Sequence, residues 1–145
     1  MAFIIKLKSL KEQTEDSDGL RVLIARHRPR YLSKDKENWH QWWKDLAPSR
    51  DLLKEYIKDK KIDWFEYKRR YIQEIKSNTE AVKLLQILSS FIRYNGDIKK
   101  FNNMQQLEKK YDLIQEYNVV TFLCHCKDEK YCHRSIVKEI ILKYY

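Results

Sequence analysis

The sequence predicts a single α/β domain over residues 1–145, with a small, largely parallel central sheet flanked by helices. Three observations carry that prediction. Runs of β type stand at Phe3–Leu10, Leu20–Ala25 and Val119–Cys124, and the long interval between the second and third is filled by amphipathic segments of helical period. The last run stops in a polar loop and leads into a helical segment from Ile136 to Leu142. Open α/β sheets bind ligands at such strand–loop–helix junctions. The chain also has only two glycines and two prolines, with no internal repeat and no linker to divide it.

Phe3–Leu10 alternates as a strand does, with Ile5 and Leu7 between lysines. Lys11–Gly19 is polar and ends in the turn signal Asp18-Gly19. Leu20–Ala25 is apolar except for Arg21, the pattern of a buried central strand. The connection between these two strands is short for a helical crossover, which predicts an antiparallel pair. A basic loop follows, Arg26-His27-Arg28-Pro29-Arg30-Tyr31.

Ser33 then reads as an N-cap, with Asp35 and Glu37 in the first turn. Trp39, Trp42, Trp43 and Leu46 fall at i, i+3, i+4 and i+7, a helical stripe that points to core packing rather than base stacking. Ala47-Pro48-Ser49 ends that helix and caps the next, which carries Leu52, Leu53, Tyr56 and Ile57. Asp63 and Glu66 form a capping pair for a helix through Ile75. Its apolar face is Trp64, Phe65, Tyr71, Ile72 and Ile75, and its basic patch is Lys68, Arg69 and Arg70. Thr79 opens a further helix with Val82, Leu84, Leu85, Leu88 and Phe91, broken at Asn95-Gly96-Asp97. A final amphipathic helix with Leu107, Tyr111, Leu113, Ile114 and Tyr117 precedes the Val119 strand.

Composition narrows the function classes. Hydrophobic residues make up 43% and charged residues 35%, the balance of a globular domain with a heavily solvated surface. No apolar run approaches a membrane span, and the opening apolar residues are too few for a signal-peptide core. Three cysteines cannot all pair within one chain, so reduced thiols and a cytoplasmic setting are expected. The net charge of +9 points to an anionic partner: a small molecule, a nucleotide or nucleic acid. The competing explanation is a lysine-rich surface that maintains solubility.

Several segments, in order, carry a resemblance. They are Asp18-Gly19 before Arg21-Val22-Leu23, then Pro29-Arg30, Leu32-Ser33-Lys34, Trp43-Lys44-Asp45-Leu46-Ala47-Pro48-Ser49, and Arg70-Tyr71 ahead of Glu74. Leu123-Cys124 followed by Cys132-His133-Arg134-Ser135 completes the set. Together they resemble the domain-of-unknown-function 488 family, in its YeaO-like branch, over a little more than half of the chain. The resemblance implies an α/β fold and a site at the Cys-His-Arg signature. The chain departs from that pattern where the family places an Asp at the end of the second strand, since it has Ala25 there. It reads His27-Arg28-Pro29-Arg30-Tyr31 where the branch has Leu-Trp-Pro-Arg-Gly, and 95–118 looks like an insertion.

All three cysteines and two of the four histidines lie between Cys124 and His133. At the start of the last helix, free N–H groups and the helix dipole favour an anion, and Arg134 adds a bidentate fork. The same field lowers the pKa of Cys132. Cys132, His133 and Arg134 are therefore the candidate catalytic residues, and Arg26, Arg30, Arg134 and Ser135 the candidate anion-binding residues. This grouping requires the second strand to lie beside the Val119 strand. The Cys126–Arg134 separation is longer than a phosphatase loop, which disfavours that mechanism. Cys124, Cys126, Cys132 and His133 can close a tetrahedral set, but neither pair has the usual ligand spacing, so no metal or other cofactor is assigned. The plain structural alternative has Cys124 packing as a small hydrophobe and Arg134 fastening the loop through Asp128 or Glu129. The leading functional expectation is a small anion-binding protein, with enzyme activity open. A basic nucleic-acid-binding module, or a non-catalytic protein held by a metal or disulfide, is the alternative.

Overall fold

The computed structural model describes residues 3–96, 108–126 and 128–144. Strands β1 (Ile4–Ser9), β2 (Leu20–Leu23), β3 (Gln41–Trp42) and β4 (Val119–Cys124) form one sheet in the order β1-β4-β2-β3. Every neighbouring pair is parallel. The antiparallel pairing expected of the first two strands does not form, because β4 lies between them. β4 is buried over almost its whole length and takes neighbours along both edges. The connection from β1 to β2 runs back past the start of β4 instead of turning. Gly19 makes that passage possible. It sits at φ 62°, and a Cβ there would come within 2.5 Å of the Val119 carbonyl oxygen.

The helices are α1 (Arg50–Leu53, continued by a π-type turn Lys54–Lys58), α2 (Trp64–Ser77), α3 (Thr79–Arg93), α4 (Glu108–Tyr117) and α5 (His133–Tyr144). Their starts follow the expected chemistry. Ser49 Oγ accepts from the Leu52 N–H at 3.2 Å, and Asp63 Oδ1 accepts from the Glu66 N–H at 2.9 Å. For α3 the cap is Asn78, whose side chain accepts from the Ala81 N–H. Leu107 and Asp97, read as part of the last amphipathic helix and of the preceding break, lie outside the described residues. Among the described residues no helix is long and apolar enough to cross a membrane.

Ile5, Leu20, Val22, Val120 and Phe122 form the main core with the buried residues of the helices, including Tyr67, Tyr71, Leu84, Leu88, Ile114, Val137 and Ile141. A smaller cluster, Leu10, Leu23, Ala25, Leu123, Cys124 and Cys132, gathers under the loops on the other side. The tryptophan segment contributes to both cores without being a helix. Trp43 and Leu46 enter the main core, while Trp39 and Trp42 pack half-buried against the smaller one. The edge of β2 captures this backbone: the His40 and Trp43 N–H groups donate to the Arg21 and Leu23 carbonyls, and Trp42 Nε1 donates to Ala25 O at 2.7 Å. Two 3-10 turns, Lys34–Lys36 and Lys44–Leu46, flank β3. On α2, Phe65 is 78% exposed and the buried face is set by Tyr67, Tyr71 and Ile75, four residues apart.

The second face of the sheet holds a buried charge. Register places Lys6, Thr121 and Arg21 in one row across three strands. Asp18, with 0% exposure, sits over this row. Its Oδ1 meets Lys6 Nζ at 2.9 Å and Lys8 Nζ at 2.8 Å, and its Oδ2 pairs with Arg21. Thr121 Oγ1 donates to the Asp18 carbonyl at 2.7 Å. Burial alone would raise the Asp18 carboxyl; hydrogen bonds from Lys8, the Glu15 N–H, Lys6 and Arg21 outweigh it and hold the pKa well below the ordinary carboxylate range.

Because the folded pKa lies below the unfolded one, the stability that Asp18 contributes is complete above about pH 4 and is lost as pH falls through the folded value. Asp18→Ala strands a buried guanidinium, and urea unfolding near neutral pH is expected to show a loss of about 3–5 kcal/mol. A loss below about 1 kcal/mol would place the network among exposed ion pairs of little consequence.

Candidate functional site

The site lies where the carboxyl ends of β2 and β4 meet the start of α5. After Cys124 the chain passes through His125 and Cys126 and a 3-10 turn, Glu129–Tyr131, and reaches Cys132 just before the helix. Leu10 N donates to the Cys124 carbonyl and Ile24 N to the Leu123 carbonyl, which anchors this end of β4 to both flanking segments. The expected adjacency of β2 and the Val119 strand is therefore present.

Cys132, His133 and Arg134 are all buried, at 1%, 2% and 1% exposure. His133 Nε2 lies 2.7 Å from the Ile24 carbonyl oxygen, so this nitrogen carries the proton. Its Nδ1 faces Cys132 Sγ at 3.5 Å. Arg134 Nε donates to Cys132 Sγ at 3.3 Å, and its Nη2 donates to the Cys126 carbonyl at 2.8 Å. Arg134 thus fastens the loop through a sulfur and a carbonyl. Ser135 Oγ donates back to the Cys132 carbonyl at 2.9 Å, so its proton is committed within the first turn.

The three thiols share protons. Hydrogen bonds from Cys124 and Cys126 hold Cys132 well below the ordinary thiol range against its burial, and His133 adds to the effect. The partners move the other way. Cys124 is raised by its contacts with Cys126 and Cys132 and by burial. For Cys126 the Cys124 contact is lowering, but the Cys132 contact and burial outweigh it and push the thiol up to about 11.

A pocket of about 370 Å³ opens beside this cluster, lined by Ala25, Arg26, His27, Arg50, Leu53, Lys54, Ile57, Lys58, Cys124, His125, Cys126 and His133. Its walls are apolar and thiol-bearing, and among the described residues its charged lining is basic, with no carboxylate. Ala25, at the position where the related pattern has Asp, forms part of that wall. Desolvation lowers the His27 pKa, and the positive charges of Arg50, Arg26, Arg30 and His125 lower it further.

The expected residues are only partly brought together here. Arg26 lines the pocket while its guanidinium donates to the Pro48 and Ala47 carbonyls at 2.9 and 3.1 Å. Arg30 is exposed outside the lining and acts on it through its charge. His133 lines the pocket, but Cys132 is buried outside the lining, and Arg134 lines a separate cavity with Lys6, Lys8, Asp128 and Lys130. Sequence reading missed Arg50, Lys54 and Lys58. Their i, i+4, i+8 spacing was a legible signal of one basic helical face. Lys54 Nζ reaches Asp59 only at 4.0 Å, while Lys68, Arg69 and Arg70 pair closely with Glu139, Glu66 and Glu55, at 2.9, 2.6 and 2.5 Å.

The family model described as "Active DUF488-N3 subclade" (DUF488-N3a) matches residues 5–96 and 86–145. The chain belongs to the DUF488-N3a family. Among related proteins, the uncharacterized protein YeaO of Escherichia coli strain K12 is 28% identical over 81 residues, covering 56% of this chain and 70% of YeaO. The uncharacterized proteins Mb3100c of Mycobacterium bovis and Rv3073c of Mycobacterium tuberculosis H37Rv are each 29% identical over 80 residues, 55% of this chain and 67% of theirs. No solved structure gives a significant match.

Two of the segments that carried the DUF488 resemblance, 43–49 and 70–74, meet beside the loop that holds Arg26. Tyr71 Oη donates to the Leu46 carbonyl at 2.5 Å, and its ring meets the His133 ring edge-on at 5.6 Å. Burial pushes the Tyr71 phenol well above its ordinary value, which keeps it a donor. Glu74 accepts from Ser49 through both its N–H, at 2.9 Å, and its hydroxyl. These residues position the 44–49 loop, whose carbonyls hold Arg26.

Tyr71→Phe leaves the Leu46 carbonyl without its donor, and chemical denaturation is expected to show a loss of about 1–3 kcal/mol. A variant as stable as the parent would mean that the carbonyl finds another donor.

Proposed function

We propose that this pocket binds a small anionic ligand with an apolar body, such as a nucleotide or another phosphorylated compound. One observation carries the reading: a concave site at the carboxyl ends of β2 and β4 whose charged lining, among the described residues, is basic. Its volume of about 370 Å³ suits a small molecule. Arg26 is pre-positioned by two carbonyls, and Arg50, Lys54 and Lys58 project from a helical segment. Replacement of the related pattern's Asp by Ala25 removes the negative charge that would oppose an anion. Of Cys132, His133 and Arg134, His133 is the one that lines this pocket. The description of the matched subclade as active favours an enzyme over a passive carrier. The ion pairs that neutralise Lys68, Arg69 and Arg70 weigh against a nucleic-acid surface on α2.

Isothermal titration with pyrophosphate and ADP tests the reading. The double variant Arg50→Glu/Lys54→Glu is expected to weaken binding by about tenfold or more, and Ala25→Asp to weaken it in the same direction. Affinity unchanged in both variants would remove the pocket from consideration. Duplex DNA binding that falls steeply with salt and ignores these substitutions would favour the nucleic-acid alternative.

Binding is also expected to tighten as pH falls through the imidazole range. Desolvation and the charges of Arg50, Arg26, Arg30 and His125 lower the His27 pKa in the free protein, and an adjacent anion raises it. Proton uptake on binding has that sign by linkage, and the same titration repeated across pH reads it.

A further inference from the structure

We infer that Cys124, Cys126, Cys132 and Nδ1 of His133 form a binding site for a thiophilic divalent cation, with zinc the best fit. The site stands whether or not the neighbouring pocket takes an anion.

Geometry is the first argument. The ligand atoms of Cys124, Cys132 and His133 lie within 4.8 Å of one another. A tetrahedral zinc with bonds of about 2.3 Å to sulfur and about 2.0 Å to nitrogen sets those two atoms about 3.5 Å apart. Cys132 Sγ and His133 Nδ1 are 3.5 Å apart, so this pair needs no rearrangement. Their adjacency in sequence is no obstacle, because Cys132 belongs to the turn and His133 is the first residue of α5. Those three atoms are the converged set, and Cys126 is the candidate for the fourth position: it shares the pocket wall with Cys124 and His133, and its carbonyl is held by Arg134 Nη2 at 2.8 Å. His125, between the two, turns away to the His27 carbonyl at 3.0 Å.

The surroundings are those of a ligand set. Metal-binding imidazoles hold their second nitrogen on a carbonyl or carboxylate, which fixes the tautomer. Here Nε2 donates to the Ile24 carbonyl at 2.7 Å, and Nδ1 is left with its lone pair toward the sulfurs. Arg134 Nε lies 3.3 Å from Cys132 Sγ. Three thiolates around a divalent cation leave one negative charge, and this buried guanidinium balances it. Three sulfurs with one imidazole select zinc or another soft metal over magnesium and calcium.

The test uses the full chain, stripped of metal under reducing conditions and titrated with zinc or cobalt(II). One equivalent of zinc is expected to protect all three thiols from a thiol reagent, and cobalt to give tetrahedral ligand-field bands with thiolate charge transfer. Cys126→Ser is expected to weaken zinc binding, read by competition with a chromophoric chelator, by about tenfold or more. The Arg50→Glu/Lys54→Glu variant is expected to bind zinc like the parent, which separates this site from the anion pocket. Thiols that react equally with and without zinc, a cobalt spectrum lacking charge transfer, or a disulfide between two of the cysteines in reductant would each overturn the assignment.

Discussion

The fold depends on one buried carboxylate. Asp18 has no solvent to ionise into, yet three cations from two strands hold it charged, and its own carbonyl is tied to a third strand through Thr121. An isolated carboxylate in that position would cost far more than a small domain can spare. The compensation is geometric as well as electrostatic. Lys6, Thr121 and Arg21 must stand in one row, which fixes the register of β1, β4 and β2 together. With the register set, the ends of β2 and β4 come level, and the residues that follow them share one crevice.

That crevice places chemistry and support in different layers. Of the stretches that carry the DUF488 resemblance, Cys124 and His133 line the pocket, while Leu46–Ser49 with Tyr71 and Glu74 brace the loop that holds Arg26 and press on His133. The lining itself comes from Arg50, Lys54 and Lys58 and from the cysteine strand end. A ring of cations around an apolar hollow keeps its charges apart without ligand, and His27 registers that repulsion by losing proton affinity.

Much of the architecture was legible in the residues. Apolar runs of β type, the first broken only by Arg21, marked β2 and β4, and Ser49 and Asp63 marked helix starts. The pairing of the strands was not, because Lys6 and Lys8 look like solvent-facing residues when their partner Asp18 looks like part of a turn. Trp39 to Leu46 misled by period: positions that fit a helical stripe also fit a two-residue strand followed by a 3-10 turn. Burial followed either way, since large apolar rings find a core in any local conformation. At the site, the Cys-His-Arg cluster was visible but its division was not. Successive residues on a helix point about 100° apart, so His133 and Arg134 serve opposite sides of the same helix start. The basic face of Arg50, Lys54 and Lys58 was overlooked because that segment was read for its apolar positions.

The placement of β4 has a consequence for biogenesis. β1 and β2 make no ladder with each other; each waits for a strand encoded long after both. A ribosome therefore releases the earlier strands with their facing edges unpaired, and all of α1 to α4 is made before the sheet can close. Long-range parallel pairing of this kind slows folding and prolongs exposure of strand edges. The charged residues on β1 suit that interval, since lysines along an unpaired edge discourage strands of other chains from adding to it.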